Sequence, residues 1–417
     1  MNGPPGDNLN RRTFLNAAGA AGFTIMRSPT ARGSQANSAV RIGLLGCGGR
    51  GTAVASGFIK NTPARVVALA DIFQDQLDAA KARFGKTESG IAPSQVFLGP
   101  KAFQEMANSK EIDMVIVTTP PYFHPEHLEA VVAAGKHVYL EKPVGIDVPG
   151  CKRVLAASEK AQGKLSLDVG FQLRMAPPFV ELVKRVQGGA LGEIAFGEAH
   201  YFCQFLAGSD VAMASPAERR LRHWLHDRVL SGDIIVEQNI HVIDICNWVL
   251  RDHPVEAVGT GGRKGRNEEG DAWSHFAVTF YYPDDVHVSF SSTQFGNRVG
   301  SDVAARFFGP RGKCQMPYTG PVLIEGDEPW TYGAVEPGEP ARRPLPNNLD
   351  SSNDEKQKAF IGSITSGQFH NQAAQGAIAA LTCIMGRTAA YTGKPVTWDD
   401  TFKSKETWDA KLNLERL

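Results

Sequence analysis

Glu237, His241, Asp244 and Trp248 recur at helical spacing in Glu237-Gln238-Asn239-Ile240-His241-Val242-Ile243-Asp244 and its continuation. Read as one helix, the segment puts these four side chains on one face, about a turn apart, and leaves Ile240, Val242, Ile243 and Ile245 to pack elsewhere. A histidine between two acids is a proton-handling set. His241 can take a hydroxyl proton because an imidazole titrates near working pH, and Glu237 can orient the ring or the substrate. A helical histidine by itself belongs more often to a core. Asp244 can equally tie helices together, and Trp248 fits a core better than a sugar platform. Lys142, in Glu141-Lys142-Pro143, tips the balance. An ammonium in a partly desolvated cleft hydrogen-bonds a hydroxyl and stabilises developing alkoxide charge, whereas the bland reading is a surface lysine in a strand-to-helix turn. Pro143 shapes backbone. His223 and His226 stand near this cluster, but their spacing fits no standard zinc motif, so no metal is expected. The Arg219–Arg228 stretch reads as a substrate-facing loop.

These groups need a frame. The apolar run Val40–Leu45 enters Gly46-Cys47-Gly48-Gly49-Arg50-Gly51, a G-x-G-x-x-G turn. A helix follows from Thr52 to Lys60, then a second strand, Arg65–Ala70, ending at Asp71. Gly46 makes the tight turn, Gly48 admits a pyrophosphate, and Gly51 lets the helix pack against the sheet. Gly49 and Arg50 complete the cradle, and the helix N-terminus offers N–H donors to phosphate. Asp71 can accept ribose hydroxyls and repel a 2′-phosphate, which favours NAD over NADP.

Strand and helix signals continue to alternate. Helices are expected at Asp75–Phe84, Lys101–Ala107, His124–Ala134 and Val148–Gln162, and strands at Gln95–Leu98, Asp113–Thr119 and His137–Leu140. The alternation implies a doubly wound parallel sheet whose C-terminal strand ends gather the glycine turn, Asp71, Thr118–His124 and Glu141–Lys142 around one crevice. Later come a strand at Lys164–Leu173, a hairpin of Phe276–Tyr282 with Val286–Ser291, a turn at Gly309–Gly312, a Pro-rich surface loop at Glu336–Asn348 and a helix at Gln372–Ala390.

The chain has 417 residues, 42% hydrophobic, with 44 Lys+Arg against 44 Asp+Glu. This supports two packed domains, and zero net charge argues against a general nucleic-acid binder. No apolar run approaches a membrane span. The 6 cysteines form no C-x-x-C pair, which argues against a zinc ribbon or disulfide scaffold. Arg11-Arg12-Thr13-Phe14-Leu15 precedes a weakly apolar Ala/Gly stretch and a linker to about Ala39. The pattern is similar to a twin-arginine leader, with Asn10 and Asn16 as departures and no clean A-x-A cleavage site, and it predicts export to the periplasm.

With Glu141-Lys142-Pro143 the chain resembles the glucose–fructose oxidoreductase / inositol dehydrogenase (Gfo/Idh/MocA) family. The other pieces stand in the family's order: Gly46–Gly51, Thr119-Pro120-Pro121-Tyr122-Phe123-His124, Gly170-Phe171-Gln172-Leu173-Arg174, Gly232–Asp244 and Ala389–Val396. The resemblance implies an α/β plus α+β protein: a Rossmann domain over residues 40–160 and, over 161–417, an α+β domain on an open, mostly antiparallel sheet that suits a homo-oligomer. Sugars, cyclitols and their derivatives are the implied substrates. Thr119, Pro120, His124, Glu141 and Lys142 are implied to hold cofactor, and Arg174 and Asp244 substrate, although a structural salt bridge suits Arg174 equally. The family pattern D-x-G-x-H-x-x-D keeps His241 and Asp244 here but has Glu237 for Asp and Asn239 for Gly, departures that reshape the pocket.

Three functions compete. The first is hydride transfer between a carbohydrate-like carbinol and nicotinamide. The second is redox-neutral turnover on a retained NAD, as in a glycosidase, epimerase or sugar-coupled oxidoreductase, which an exported enzyme would favour. The third is a non-catalytic nucleotide-binding sensor, against which Lys142 and His241 argue.

Overall fold

The computed structural model describes residues 39–85, 90–206, 215–266, 270–294, 300–333, 347–349 and 352–417. The twin-arginine segment and nearly all of the expected loop at 336–348 lie outside the described residues.

Six strands form the first sheet: β1 (Arg41–Leu45), β2 (Arg65–Asp71), β3 (Val96–Leu98), β4 (Met114–Val117), β5 (His137–Leu140) and β6 (Leu167–Val169), in the order β3-β2-β1-β4-β5-β6. All pairs are parallel. Apolar residues on both pleat faces explain this burial. Ile42, Leu44, Met114, Ile116 and Tyr139 face one cluster with Val54 and Phe58, while Val115, Val117, Val138 and Leu140 face the other. The expected helices form at Gly49–Asn61, Gln74–Phe84, Ala102–Asn108, His124–Ala133 and Val148–Ala161.

Two boundaries differ from expectation. The strand expected over Lys164–Leu173 shortens to β6, because Phe171 turns the chain into a single 3-10 turn at Gln172–Met175. Since β6 pairs with β5, the parallel sheet extends past residue 160. The late helix Ser352–Ser366 also returns to this sheet, where Phe360 packs on Phe58 and Tyr139.

The second sheet has nine strands: β7 (Phe196–Cys203), β8 (Glu256–Gly262), β9 (His275–Tyr281), β10 (His287–Gln294), β11 (Asp302–Gly309), β12 (Gly312–Pro317), β13 (Leu323–Gly326), β14 (Trp330–Thr331) and β15 (Val396–Thr397). Their order is β14-β13-β12-β11-β7-β10-β9-β8-β15. Every pairing is antiparallel except β7 with β10. The hairpin expected around Pro283-Asp284-Asp285 is β9–β10, with both aspartates at positive φ. Helices Ile240–Leu250 and Ala373–Thr392 cover the inner face through Phe276, Val278, Phe280 and Phe290, in one core continuous with the first sheet. That continuity fixes the second sheet's helices against the strand ends of the first.

Candidate active site

The glycine turn is shaped by close approach. Gly46 has φ +91°, and a Cβ at Gly51 would collide with the Gly46 carbonyl oxygen. At Gly48 and Gly49, by contrast, a Cβ would meet open space. They open the 13-residue helix Gly49–Asn61, which has no side-chain cap and no acid in its first turn. Free N–H groups and a positive helix end therefore face an open cradle, which fits a dinucleotide pyrophosphate. Asp71 stands beside it and accepts N–H bonds from Cys47 (2.7 Å) and Phe73 (2.9 Å). Burial raises the Asp71 pKa against these bonds.

Across the turn, Arg50 donates to Glu141 Oε1 from Nη2 at 2.7 Å and from Nε at 2.9 Å. Glu141 is buried, and Gly170 makes room for it, since a Cβ at Gly170 would run into its carboxylate. The next residue, Lys142, precedes a cis peptide to Pro143. Its Nζ donates at 2.7 Å to both the backbone oxygen and Oε1 of Glu237. The side chains of Lys142 and Glu237 are only 12% and 9% exposed.

His241 completes the cluster. The ring is buried edge-on to Phe171, and Nδ1 has no hydrogen-bond partner among the described residues. Burial first, then the charges of Lys142 and Arg50, push its pKa well below the ordinary histidine value. Burial thus favours the neutral imidazole, with Lys142 among the charges that act on it.

The expected single helix over Glu237–Trp248 is interrupted. Ile234–Glu237 and Ile240–Leu250 are separate helices. Asn239 N reaches back five residues to Ile234 O, and His241 N and Val242 N then reach only three residues back, to Gln238 O and Asn239 O. A widened turn followed by a tightened one shifts the helical phase, so Glu237 turns to Lys142 from an element distinct from the one carrying His241.

Several expected ligands are spent on structure. Both nitrogens of buried His124 face backbone oxygens at 2.7 Å, those of Pro143 and Thr119. His124 therefore ties the β4 loop to the Pro143 turn. The Thr119 hydroxyl pairs with His127 Nδ1 at 2.9 Å, and Pro120 opens the 3-10 turn Pro121–Phe123, so this loop offers backbone rather than side chains. Arg174 and Asp244 were expected at the substrate. Instead they form a bidentate pair, Nε–Oδ2 at 2.7 Å and Nη2–Oδ1 at 2.8 Å, with the guanidinium 5.2 Å from the Trp248 ring. Asp244 is buried, and the pair has the bidentate geometry of a strong structural ion pair. The expected loop at Arg219–Arg228 is largely helical, Pro216–Arg222 and then a 3-10 turn. His226 Nε2 lies 2.8 Å from Leu206 O, and no group of three or more His, Cys, Asp or Glu among the described residues could hold a metal.

Sequence reading missed a buried amide chain behind Glu237. Gln294 Nε2 donates to Gln238 Oε1, Cys203 Sγ lies 3.5 Å from the same oxygen, and Arg266 Nη2 reaches Gln294 O at 3.1 Å. No local signal marks it, because β7 and β10 bring the residues together from distant parts of the chain.

Residues 40–169 match the oxidoreductase family with an NAD-binding Rossmann fold, and residues 179–315 match the GFO/IDH/MocA C-terminal domain. Inositol 2-dehydrogenase of Acidothermus cellulolyticus is 26% identical over 295 residues, 69% of this chain and 76% of the relative. Inositol 2-dehydrogenase of Rhizobium meliloti is 27% identical over 58% of this chain, and the match spans 64% of that protein. A glycosyl hydrolase family 109 protein of Solibacter usitatus is 28% identical over 47% of this chain and 46% of its own length. Among solved structures, aldose-aldose oxidoreductase from Caulobacter crescentus, complexed with glycerol, superposes with a TM-score of 0.67 at 20% identity, covering 86% of this chain and 100% of that one. Scyllo-inositol dehydrogenase from Lactobacillus casei, with NAD(H) and scyllo-inositol, gives 0.65 at 19% identity over 87% and 100%. The glycine turn, the second-domain sheet and the two domain matches together place the chain in the Gfo/Idh/MocA family of oxidoreductases.

Proposed function

We propose that the protein oxidises a secondary hydroxyl of a sugar or cyclitol with NAD. The observation that carries this reading is a buried, Glu237-held Lys142 together with a buried His241 whose Nδ1 has no partner among the described residues. When bound, NAD supplies a nicotinamide that takes the hydride from the carbinol carbon. Gly46–Gly51 would cradle its pyrophosphate, and Asp71 its adenosine ribose, which favours NAD over NADP. The Lys142 ammonium then hydrogen-bonds the carbinol oxygen and holds charge that develops there. His241 takes the hydroxyl proton. Glu237 holds Lys142 in place, and Glu141 and Arg50 brace the turn beneath it.

A second reading is redox-neutral turnover on retained NAD, in which oxidation acidifies a neighbouring C–H and the hydride returns before release. Arg11-Arg12 favours it, since an exported protein would carry its cofactor folded in place and would not exchange it outside the cell. The likeness to a glycosyl hydrolase family 109 protein points the same way. Periplasmic residence, reached through the twin-arginine machinery, belongs to this proposal, as does a homo-oligomer formed through the open sheet face.

The test is to purify the full-length protein, extract and identify any dinucleotide, and screen inositols, aldoses and aryl glycosides with and without added NAD. Absorbance at 340 nm that rises only with added NAD supports the first reading. Product without added NAD supports the second. Neither bound dinucleotide nor turnover on any polyol refutes both.

A further inference from the structure

A small core apart from the two main ones joins the loops that follow β2 and β4. Leu221, Leu230 and Ala410 are buried in it, and Phe73, Tyr122 and Phe123 pack against them. Phe73 follows Asp71 at the end of β2, and Tyr122 and Phe123 follow the end of β4. In the strand order β2-β1-β4 these loops flank the glycine turn after β1 on either side. The segment Pro216–Ser231 comes from the second half of the chain, as does the tail around Ala410. Together they span the crevice from one flanking loop to the other.

The contacts are specific. Arg222 donates from Nη1 and Nη2 to the two carboxylate oxygens of Asp75 at 3.0 and 2.8 Å, and from Nε to Glu218 at 2.8 Å. Its guanidinium lies 3.9 Å from the Phe73 ring centroid, and its side chain is only 9% exposed. Arg220 joins the strap to the tail, donating to Ala410 O at 2.9 Å and to Asp227 at 2.6 Å. Asp75 lies in the first turn of helix Gln74–Phe84, directly after the Asp71–Phe73 bend that forms the ribose end of the groove. A planar fork on a carboxylate, stacked on an aromatic face, fixes orientation as well as distance.

The geometry points to a clasp: Arg222, gripping Asp75 and Phe73, is a positioning residue that keeps the Pro216–Ser231 strap closed over the adenosine half of the groove and retards release of the dinucleotide. This rests on the dinucleotide reading given above. A dinucleotide leaving the groove must part the strap from the β2 loop, so the Arg222 contacts add to the barrier for dissociation.

The test uses the full-length protein loaded with NADH, mixed with excess NAD and followed by loss of bound-NADH fluorescence. R222A and D75N are each expected to raise the dissociation rate about tenfold, with the double variant little faster than either and R222K between R222A and wild type. Dissociation is read well below the melting midpoint of each dinucleotide-free variant, so that lost folding stability is kept apart from a lost clasp. Dissociation rates of R222A and D75N within twofold of wild type overturn the clasp, as does a lowered melting temperature with unchanged dissociation, which marks a purely structural pair. A wild-type protein that binds no dinucleotide overturns the cofactor reading itself, and the clasp with it.

Discussion

Lys142 bonds Glu237 twice through one nitrogen, to the backbone oxygen and to Oε1, each at 2.7 Å. The lysine follows a strand of the first sheet and the glutamate ends a helix beneath the second, so the bonds join the two halves of the chain at the place where chemistry is proposed. A cation buried this far needs its counter-charge, because removing one partner of such a pair leaves an uncompensated charge.

K142M should bind dinucleotide with near wild-type affinity yet lose about 10²–10⁴ in kcat, the usual scale for a residue acting on the transferred proton or the developing charge. E237Q should lower kcat less, by about tenfold to a hundredfold, since an amide oxygen holds the Lys142 head group more weakly than the carboxylate does. Steady-state kinetics across pH on the screened substrate would check both. Equal kcat in K142M and wild type contradicts the assignment.

Replacing His241 with asparagine should lower kcat by about 10²–10⁴. In the wild type, a base whose pKa is depressed is lost only at unusually low pH, so the acid limb of kcat/KM should lie below the ordinary histidine range. R50Q removes one of the charges that depress it and should move that limb upward. A limb near pH 6.5 or above in the wild type would be inconsistent with the buried, unpartnered ring.

Stability should fall on mild acidification. His127 is buried with its pKa pushed down to about 3, and burial also lowers His124. Between about pH 6.5 and 3 the unfolded chain binds protons at these sites that the folded chain does not, so stability is present above that window and declines as pH falls through it. Urea midpoints at pH 7 and pH 4.5 measure the slope, and H127Q should flatten it. A midpoint independent of pH counts against the account.

D244N should act on folding more than on turnover. It leaves the Arg174 guanidinium, 14% exposed, without its bidentate partner. The expected loss is about 3–5 kcal/mol of stability, read by denaturant titration, with KM little changed in whatever protein folds. A raised KM at unaltered stability would restore Asp244 as a substrate ligand.

G170A tests the brace under the glycine turn. The added methyl meets the Glu141 carboxylate, so either Glu141 or β6 must shift and Arg50 loses its partner. Dinucleotide affinity, measured by fluorescence titration, should drop about tenfold, in keeping with a lost charge-assisted bond of roughly 1.5 kcal/mol. Unchanged affinity would show that Arg50 and Glu141 do not shape the cofactor site.

The first sheet was legible because its signals are local. Gly46–Gly51 and the apolar run before it mark strand, turn and helix within a few residues, and Asp71 follows at a readable distance. Lys142 and His241 were legible as types but not as geometry. Their meeting depends on helix Ile240–Leu250 docking beneath the second sheet, and on a helix break at Gln238–Asn239 that no propensity announced, since both residues take αR dihedrals. The partners of His124, Arg174 and Asp244 were not legible for one reason: a polar side chain looks free in sequence until the backbone oxygen or opposite charge it pairs with is brought to it by tertiary structure. The Arg222 strap was hidden likewise, because its partners Asp75 and Phe73 lie about 150 residues away, beyond any periodicity.

Lys142 and His241 are proposed to act on the same carbinol beside a bound nicotinamide. The most direct measurement is single-turnover absorbance at 340 nm with the NAD-loaded wild type, K142M and H241N on the polyol or glycoside that the screen identifies. A rapid rise is expected in the wild type, transient or lasting, with slowing by about two or more orders of magnitude in each variant although NAD remains bound. Undiminished reduction in either variant would contradict it.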